Sequence, residues 1–181
     1  MDRIRSALFV DFDNIFIGLQ KIDAEAAERF ATNPGQWLGW IEQGMVKEVD
    51  SDEPGDERSV LVRRCYMNPK RFHPYRPYFT RAAFHVIDTP TLTTHGKTAA
   101  DIHMVMDILD TLRHETRFDE FIILSGDADF TPVLLRLRAH DRRTAAAILG
   151  PAAEAYRSAA DVVIDEDTFI EAALGISSDL R

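Results

Sequence analysis

The stretch Ser6-Ala-Leu-Phe-Val-Asp11, followed by Phe12-Asp-Asn14, decides the fold that we predict for this chain. It is a short continuous apolar run that ends in an acid. This pattern is typical of a strand buried on both faces rather than of an edge strand with alternating polarity. Strands of this kind occur mainly in parallel sheets that helices cover on both sides. We therefore take the stretch as the first strand of an α/β protein.

Apolar runs alternate with helix-like patterns along the rest of the chain. Strands are predicted near residues 59–66, 83–87, 121–124, 144–149 and 162–164, and helices near residues 14–30, 37–45, 98–112, 132–139 and 151–159. This alternation is typical of repeated βαβ units. It predicts a three-layer α/β fold with a mostly parallel central sheet flanked by helices.

Length and composition indicate one globular domain. The chain has 181 residues, of which 45% are hydrophobic, and its single cysteine excludes an internal disulfide. No stretch has the roughly 18 uncharged apolar residues of a membrane span, and the first residues lack a signal-peptide core, so we predict a cytoplasmic protein without a membrane partner. We expect a single domain over residues 1–181, with a core over 6–165 and an acidic C-terminal extension over 166–181.

Acidic residues recur where predicted strands end or a predicted helix begins. They are Asp11, Asp13, Asp101, Asp127 and Asp129. In an open parallel sheet, ligands bind outside the carboxyl ends of the strands, so these side chains are expected to converge on one edge. Each acid taken alone also has a structural interpretation, as a helix cap or as a turn residue after a strand.

The expected convergence favours a metal site. Asp101 lies on the predicted apolar stripe of its helix and so points towards the sheet, where an unpaired carboxylate is costly to desolvate. Several carboxylates on one concave edge repel each other unless a cation neutralises them, and hard oxygen ligands suit Mg²⁺ or Mn²⁺. Such a site favours phosphoryl chemistry that needs no side-chain nucleophile.

Three motifs stand in order along the chain. They are Asp11-Phe-Asp-Asn14 after an apolar strand, Lys97-x-x-x-Asp101 at the start of a helix, and Ser125-Gly-Asp-Ala-Asp-Phe130. Together they resemble the NYN domain of the PIN-like ribonuclease superfamily, and the resemblance covers residues 6–165. It implies a compact PIN-like fold in which a cluster of Asp residues binds a divalent metal and hydrolyses RNA.

The resemblance also assigns roles by position. It places the catalytic and metal-binding site at Asp11, Asp101, Asp127 and Asp129. Asn14 matches the asparagine after the first strand, which would position the substrate or a ligating carboxylate. Lys97 is a further predicted substrate contact, as is Ser125, because small residues at a sharp strand-to-helix turn let the backbone approach a phosphate. Asp13 and Asp107 have predicted supporting roles.

A basic and aromatic window extends from Arg63 to Phe84. It contains six cations and no Asp or Glu, so it carries +6 whereas the rest of the chain carries −15. Six aromatic residues alternate with the cations, as in surfaces that bind single-stranded nucleic acid. The predicted RNA contacts are Arg63, Arg71, Tyr75 and Arg76. In the alternative interpretation, the aromatic residues belong to the core and the arginines pair with surface acids.

The leading hypothesis is a metal-dependent ribonuclease that acts on single-stranded or unpaired RNA with Mg²⁺ or Mn²⁺. An RNA-binding or adaptor module without significant hydrolysis would carry the same four acids, so the sequence does not separate these two. A haloacid-dehalogenase-like phosphatase is a third alternative, because Asp11-Phe-Asp13 resembles its first motif, although Ile15 and the short Asp127/Asp129 spacing depart from that pattern. The NYN resemblance also allows a homodimer, which no sequence feature demonstrates.

Overall fold

The predicted first strand, β1 (Ile4–Asp11), lies inside a parallel sheet in the computed structural model, which describes residues 3–44, 55–92, 99–151 and 153–177. Phe9 of this strand pairs with Arg64 on one side and with Ile123 on the other, both in parallel register. The apolar residues from Ala7 to Val10 have no solvent exposure. The prediction of a strand buried on both faces is confirmed.

Strands and helices alternate along the described chain. The further strands are β2 (Arg58–Met67), β3 (His85–Asp88), β4 (Glu120–Leu124), β5 (Arg143–Ile148) and β6 (Val162–Asp165). The helices are α1 (Phe12–Ile22), α2 (Ala24–Thr32), α3 (Pro34–Glu42), α4 (Pro69–Phe72), α5 (Arg76–Arg81), α6 (Ala100–Leu112), α7 (Thr131–Ala139), α8 (Glu154–Ala159) and α9 (Glu166–Thr168), which continues into a π-helical turn at Phe169–Ala173. Short 3₁₀ turns lie at His73–Tyr75 and Ala128–Phe130. None of the helices in the described ranges has the length and apolarity needed to cross a bilayer.

The six strands of the described chain form one sheet in the order β3-β2-β1-β4-β5-β6, with parallel pairing throughout. Starting from β1, the chain therefore adds β2 and β3 on one side of the sheet and then β4, β5 and β6 on the other. In open α/β sheets such a switch point leaves a crevice outside the carboxyl ends of the two strands, and ligands bind there. The prediction of a three-layer α/β fold is confirmed, and the strand order places the switch point between β1 and β4.

Each central strand divides its side chains between two cores, because successive residues of a strand point to opposite faces. In β1, Leu8 and Val10 join the cluster beneath α1, α2 and α3, whereas Ala7 and Phe9 join the cluster beneath α6, α7 and α8. The same parity places Asp11 on the face that α6 covers.

The predicted helix over residues 14–30 is two helices. Asp23 separates them with an extended backbone, at φ −153° and ψ 116°. Its Oδ1 accepts hydrogen bonds from the backbone N of Glu25 (2.8 Å) and of Ala26 (3.3 Å) and so caps α2. The apolar spacing continues across the break, which is why it predicted a single helix.

The segment after β6 is part of the core. Phe169, Ile170, Leu174 and Ile176 are buried, and the Phe169 ring centroid lies 6.4 Å from that of Trp37. This part of the predicted acidic extension therefore covers the sheet with its apolar residues and exposes Asp167 and Glu171, whereas Glu166 is half-buried.

Candidate metal centre

Asp11 is the last residue of β1 and lies at the switch point. Its Oδ1 accepts a hydrogen bond from the backbone N of Asn14 (3.3 Å), which caps α1, and its Oδ2 accepts one from Oγ of Ser125 (3.1 Å). The residue is only 5% exposed. Its pKa rises to about 7, mainly because burial disfavours the charged form and secondly because the Asp101 carboxylate is close. Asp11 therefore titrates near neutral pH.

Hydrogen bonds join the turn after β4 to the end of β1. The backbone N of Gly126 donates to Oδ1 of Asn14 (2.9 Å), and the backbone N of Asp127 donates to Oγ of Ser125 (3.3 Å). Oδ1 of Asp127 accepts from the backbone N of Asp129 (2.9 Å) and begins the 3₁₀ turn that follows. Asp127 thus acts as a cap with one oxygen, as the structural interpretation expected, and the turn brings two carboxylates to the carboxyl end of β4.

Asp101 approaches the other acids from the first turn of α6. It is half-buried, and its pKa is raised first by burial and then by the carboxylates of Asp127 and Asp129. The buried residues Met104, Ile108 and Thr111 of α6 lie on the same helix face as Asp101, whereas the apolar residues Val105 and Leu112 are only partly buried. The expected direction of Asp101, towards the sheet, agrees with its burial.

The four acids form one electrostatic cluster, because Asp101 raises the pKa of Asp11 and is itself affected by Asp127 and Asp129. Their oxygens are the hard donors that Mg²⁺ and Mn²⁺ prefer, and a bound cation would relieve their repulsion. In the described ranges, no group of three or more His, Cys, Asp or Glu side chains is arranged so that it could hold a metal ion. The fit to Mg²⁺ therefore rests on the chemistry of the carboxylate donors, since Mg²⁺ needs only one or two protein carboxylates and keeps several water ligands. Their role as ligands stays a prediction.

Asp13 connects the cluster to the loop after β2. Its Oδ1 accepts a hydrogen bond from the backbone N of Asn68 (3.1 Å), and Nδ2 of Asn68 donates to Oγ1 of Thr91 (3.0 Å). Burial raises the pKa of Asp13, while the Asn68 bond and the Arg71 guanidinium act in the opposite direction. Asp13 thus anchors the loop that carries Arg71 close to the acids, which agrees with its predicted supporting role.

Tyr156 supports the cluster through the turn after β4. The sequence distinguishes it only as the one aromatic residue of the predicted helix 151–159. It lies on α8 and is fully buried, and its hydroxyl donates to the backbone O of Ser125 (2.7 Å). Burial raises the pKa of Tyr156, and the Asp127 and Asp11 carboxylates add to the shift. The Ser125 turn is therefore held from two sides, by Tyr156 and by Asp11.

Asp107 holds α6 against the sheet. It accepts a hydrogen bond from the hydroxyl of Tyr66 and pairs with the guanidinium of Arg64 at 2.9 Å, both from β2. Because Asp101 lies on the same helix, Asp107 helps to fix where Asp101 lies. This contact agrees with its predicted supporting role.

The predicted RNA-contacting cations differ in whether they already pair with an acid of the protein. Arg63 pairs with Glu42 (2.9 Å), and Arg76 pairs with Asp88, so both have partners within the protein. Arg71 is exposed, and its guanidinium lies 5.0 Å from the centroid of the Phe72 ring. Lys97 lies outside the described residues, and its substrate contact stays a prediction. Of the three arginines in this prediction, Arg71 is thus the best placed to meet a substrate.

Most rings of the basic and aromatic window are in the core. Buried rings of the window are Tyr66, Phe72, Phe79 and Phe84. Tyr75 is half-buried, packs against Phe12 and Phe16, and donates its hydroxyl to Glu28 (3.0 Å). The window is therefore no exposed stacking platform, and the structural alternative holds for these four rings, because large aromatic rings gain more from burial than from solvent.

The fold and the site together define a parallel α/β protein with a cluster of acids at its switch point. The model of the NYN domain family matches residues 5–171, and the chain belongs to this family, which lies within the PIN-like nuclease superfamily. The resemblance predicted from the three motifs is confirmed.

A solved structure shows the same fold. It is the crystal structure of a protein of unknown function from Vibrio parahaemolyticus, with a TM-score of 0.64, 16% sequence identity, and coverage of 93% of this chain and 98% of that one. At this identity the likeness concerns the fold alone. No curated protein matches the chain significantly.

Proposed function

We propose that the chain is a metal-dependent ribonuclease that hydrolyses phosphodiester bonds in single-stranded or unpaired RNA. The observation that carries the proposal is the convergence of Asp11, Asp101, Asp127 and Asp129 at the switch point, where the Asp101 carboxylate raises the pKa of Asp11 and those of Asp127 and Asp129 raise the pKa of Asp101. Carboxylates whose pKa is raised by burial and by like charges in a crevice are a recurrent property of catalytic centres. Membership in the NYN family supports nuclease chemistry.

The four acids would hold Mg²⁺ or Mn²⁺, which when bound activates water and stabilises negative charge on the phosphate and the leaving oxygen. Ser125 and the backbone N of Asn14 orient the Asp11 carboxylate. Oδ1 of Asn14 is taken by Gly126, so its Nδ2 group, which has no partner among the described residues, is the donor left for a substrate oxygen. Arg71, close to Asp13, would pair with an adjacent phosphate.

An RNA-binding module without hydrolysis is the second candidate. It is favoured by the finding that, among the described residues, no group of three or more His, Cys, Asp or Glu side chains is arranged so that it could hold a metal ion. The phosphatase alternative has no such support, since the family is NYN and Oδ1 of Asp13, the acid/base in that reading, is bound by Asn68. The cytoplasmic location, the single domain and the homodimer stay predictions from the sequence.

A time course of cleavage of end-labelled single-stranded RNA tests the proposal. We expect products with Mg²⁺ or Mn²⁺, none with EDTA, and a loss of at least about a hundredfold in Asp127→Asn, as is typical when an essential electrostatic group is removed. Asp110→Asn, an exposed aspartate of α6, is the matched control and is expected to cleave like the wild type. Equal activity in all three proteins would indicate a contaminant, and RNA binding without cleavage would establish the binding module instead.

A further inference from the structure

A groove of about 470 Å³ lies next to the acidic cluster, between α1 and the turns that follow β4 and β5. Its walls are mainly apolar, with Ile17 on one side and Leu149 and Pro151 on the other. Small-molecule sites in proteins have volumes of about 300–1,000 Å³ and similar apolar walls. The groove is therefore large enough for a single nucleoside.

The groove is continuous with the metal centre. Asn14 and Gly126, whose hydrogen bond joins the first turn of α1 to the turn after β4 at the centre, also line the groove. Gly18 and Lys21 follow Asn14 on the same face of α1, at four and seven residues' distance. A rise of 1.5 Å per residue puts Lys21 about 10 Å further along the helix than Asn14. A chain bound at the acids would therefore pass along this face.

Lys21 gives the groove one positive charge. It is exposed and forms no ion pair or hydrogen bond with any residue that the structure describes. The cation is thus free to pair with a phosphate at the outer end of the groove.

Gly18 keeps the groove open. Glycine inside a helix is destabilising relative to alanine. A Cβ at this position would meet the side chain of Leu149 at 3.5 Å, an ordinary van der Waals distance, so packing does not demand glycine. A longer side chain would extend into the groove. We therefore explain the glycine at position 18 by the space that it leaves open in the groove.

The opposite wall is fixed before any ligand binds. Gly150 has φ +80°, a conformation that side chains rarely adopt, and its backbone N donates to Oε2 of Glu166 (2.8 Å). Leu149 packs against the core beneath α1. A preformed wall lowers the ordering cost of binding.

We propose that this groove binds the nucleoside next to the cleaved phosphate, with its base against Ile17, Leu149 and Pro151 and its outer phosphate beside Lys21. The inference rests on the proposed ribonuclease function, because it assigns a position on the RNA to the groove. The walls that face the nucleobase are aliphatic and offer it no side-chain hydrogen bonds, so they accept the face of any nucleobase. The groove therefore contributes affinity rather than sequence selectivity.

Titration with adenosine 5′-monophosphate, followed by the amide resonances of Gly126 and Gly150, tests the inference. We expect both resonances to shift in the wild type and in Gly39→Leu, a helical control whose Cβ meets no heavy atom within 4 Å. In Gly18→Leu the affinity should fall at least about tenfold, because the added side chain removes the apolar contact surface. Equal affinities in Gly18→Leu and Gly39→Leu would overturn the assignment.

Lys21→Gln provides a second readout that does not depend on how Gly18→Leu folds. It should weaken adenosine 5′-monophosphate binding and leave adenosine binding unchanged, and equal losses for both ligands would contradict a phosphate contact. The RNA cleavage assay separates the two proposals. Cleavage without a nucleotide-induced shift at Gly126 and Gly150 refutes the groove alone. Such shifts without cleavage support nucleotide binding in the groove but refute the nuclease and, with it, a position next to a cleaved phosphate.

Discussion

Asp11 retains a proton at pH values where most aspartates are ionised, because it is buried at the end of β1 beside Asp101. Ser125 and the backbone of Asn14 offset only part of this cost. The position of Asp11 after an apolar strand is visible in the sequence. Its distance from Asp101 is not, because that distance depends on how α6 packs. The titration of the site is therefore a property of the fold.

The raised pKa of Asp11 predicts how stability depends on pH without metal. The folded protein holds a proton that the unfolded chain loses at its ordinary pKa of 3.8. Stability from this group is therefore present below about pH 4 and is lost as the pH rises to about 7. Asp11→Asn, which still caps α1, should be more stable than the wild type by on the order of 4 kcal/mol at about pH 8 and by roughly 1–2 kcal/mol at about pH 5.

Urea unfolding in EDTA at these two pH values measures the effect, and the difference between variant and wild type removes the contribution of other carboxylates. A variant that is less stable than the wild type at the higher pH would mean that the ionised carboxylate is a structural cap, and it would weaken the metal-site account.

At the level of helices and strands, Asp23 decides between one helix and two. If α1 and α2 were continuous, Asp23→Ala would raise stability, since alanine is the better helix former. Because Asp23 caps α2, the same change should instead lower the free energy of unfolding by about 1 kcal/mol. Thermal unfolding compared with Asp110→Ala, an exposed position inside α6, tests the sign.

β1 and β4 were predictable because they are continuous apolar runs, and the helices because their apolar spacing is regular. Asp11, Asp127 and Asp129 were predictable because they follow these strands, and Asp101 because it lies in the first turn of a helix. The positions of rings were not, since Phe72 and Phe79 alternate with cations in sequence and yet face the core. Tyr156 and Asn68 reach the site through tertiary contacts that no local pattern encodes.

Across the whole molecule, the sheet carries the candidate site at one end and a buried ion pair at the other. The carboxyl ends of β1 and β4 carry the acids, whereas the amino ends of β4 and β2 carry the ion pair between Glu120 and Arg58 at 2.6 Å. Glu120 also accepts a hydrogen bond from Ser6 (3.0 Å) and lies 3.3 Å from Nε of Arg143. One carboxylate thus joins the four central strands far from the site.

Glu120→Gln should therefore lower the free energy of unfolding by about 3–5 kcal/mol, because it leaves a buried guanidinium without its counter-charge. RNA cleavage per folded molecule should be unchanged. Glu57→Gln removes the exposed partner of Arg3 and is expected to cost no more than about 1 kcal/mol. Denaturant unfolding of both variants measures the contrast, and equal small losses would contradict a structural role for the buried pair.

The proposed function requires the four aspartates to hold a divalent cation at the switch point. Crystals grown with MnCl₂ and measured for anomalous scattering show directly whether they do. We expect a manganese peak at the carboxyl ends of β1 and β4, in contact with Asp11 and with at least one of Asp101, Asp127 and Asp129. Manganese bound only elsewhere, or no peak at this position at a concentration that supports RNA cleavage, would contradict it.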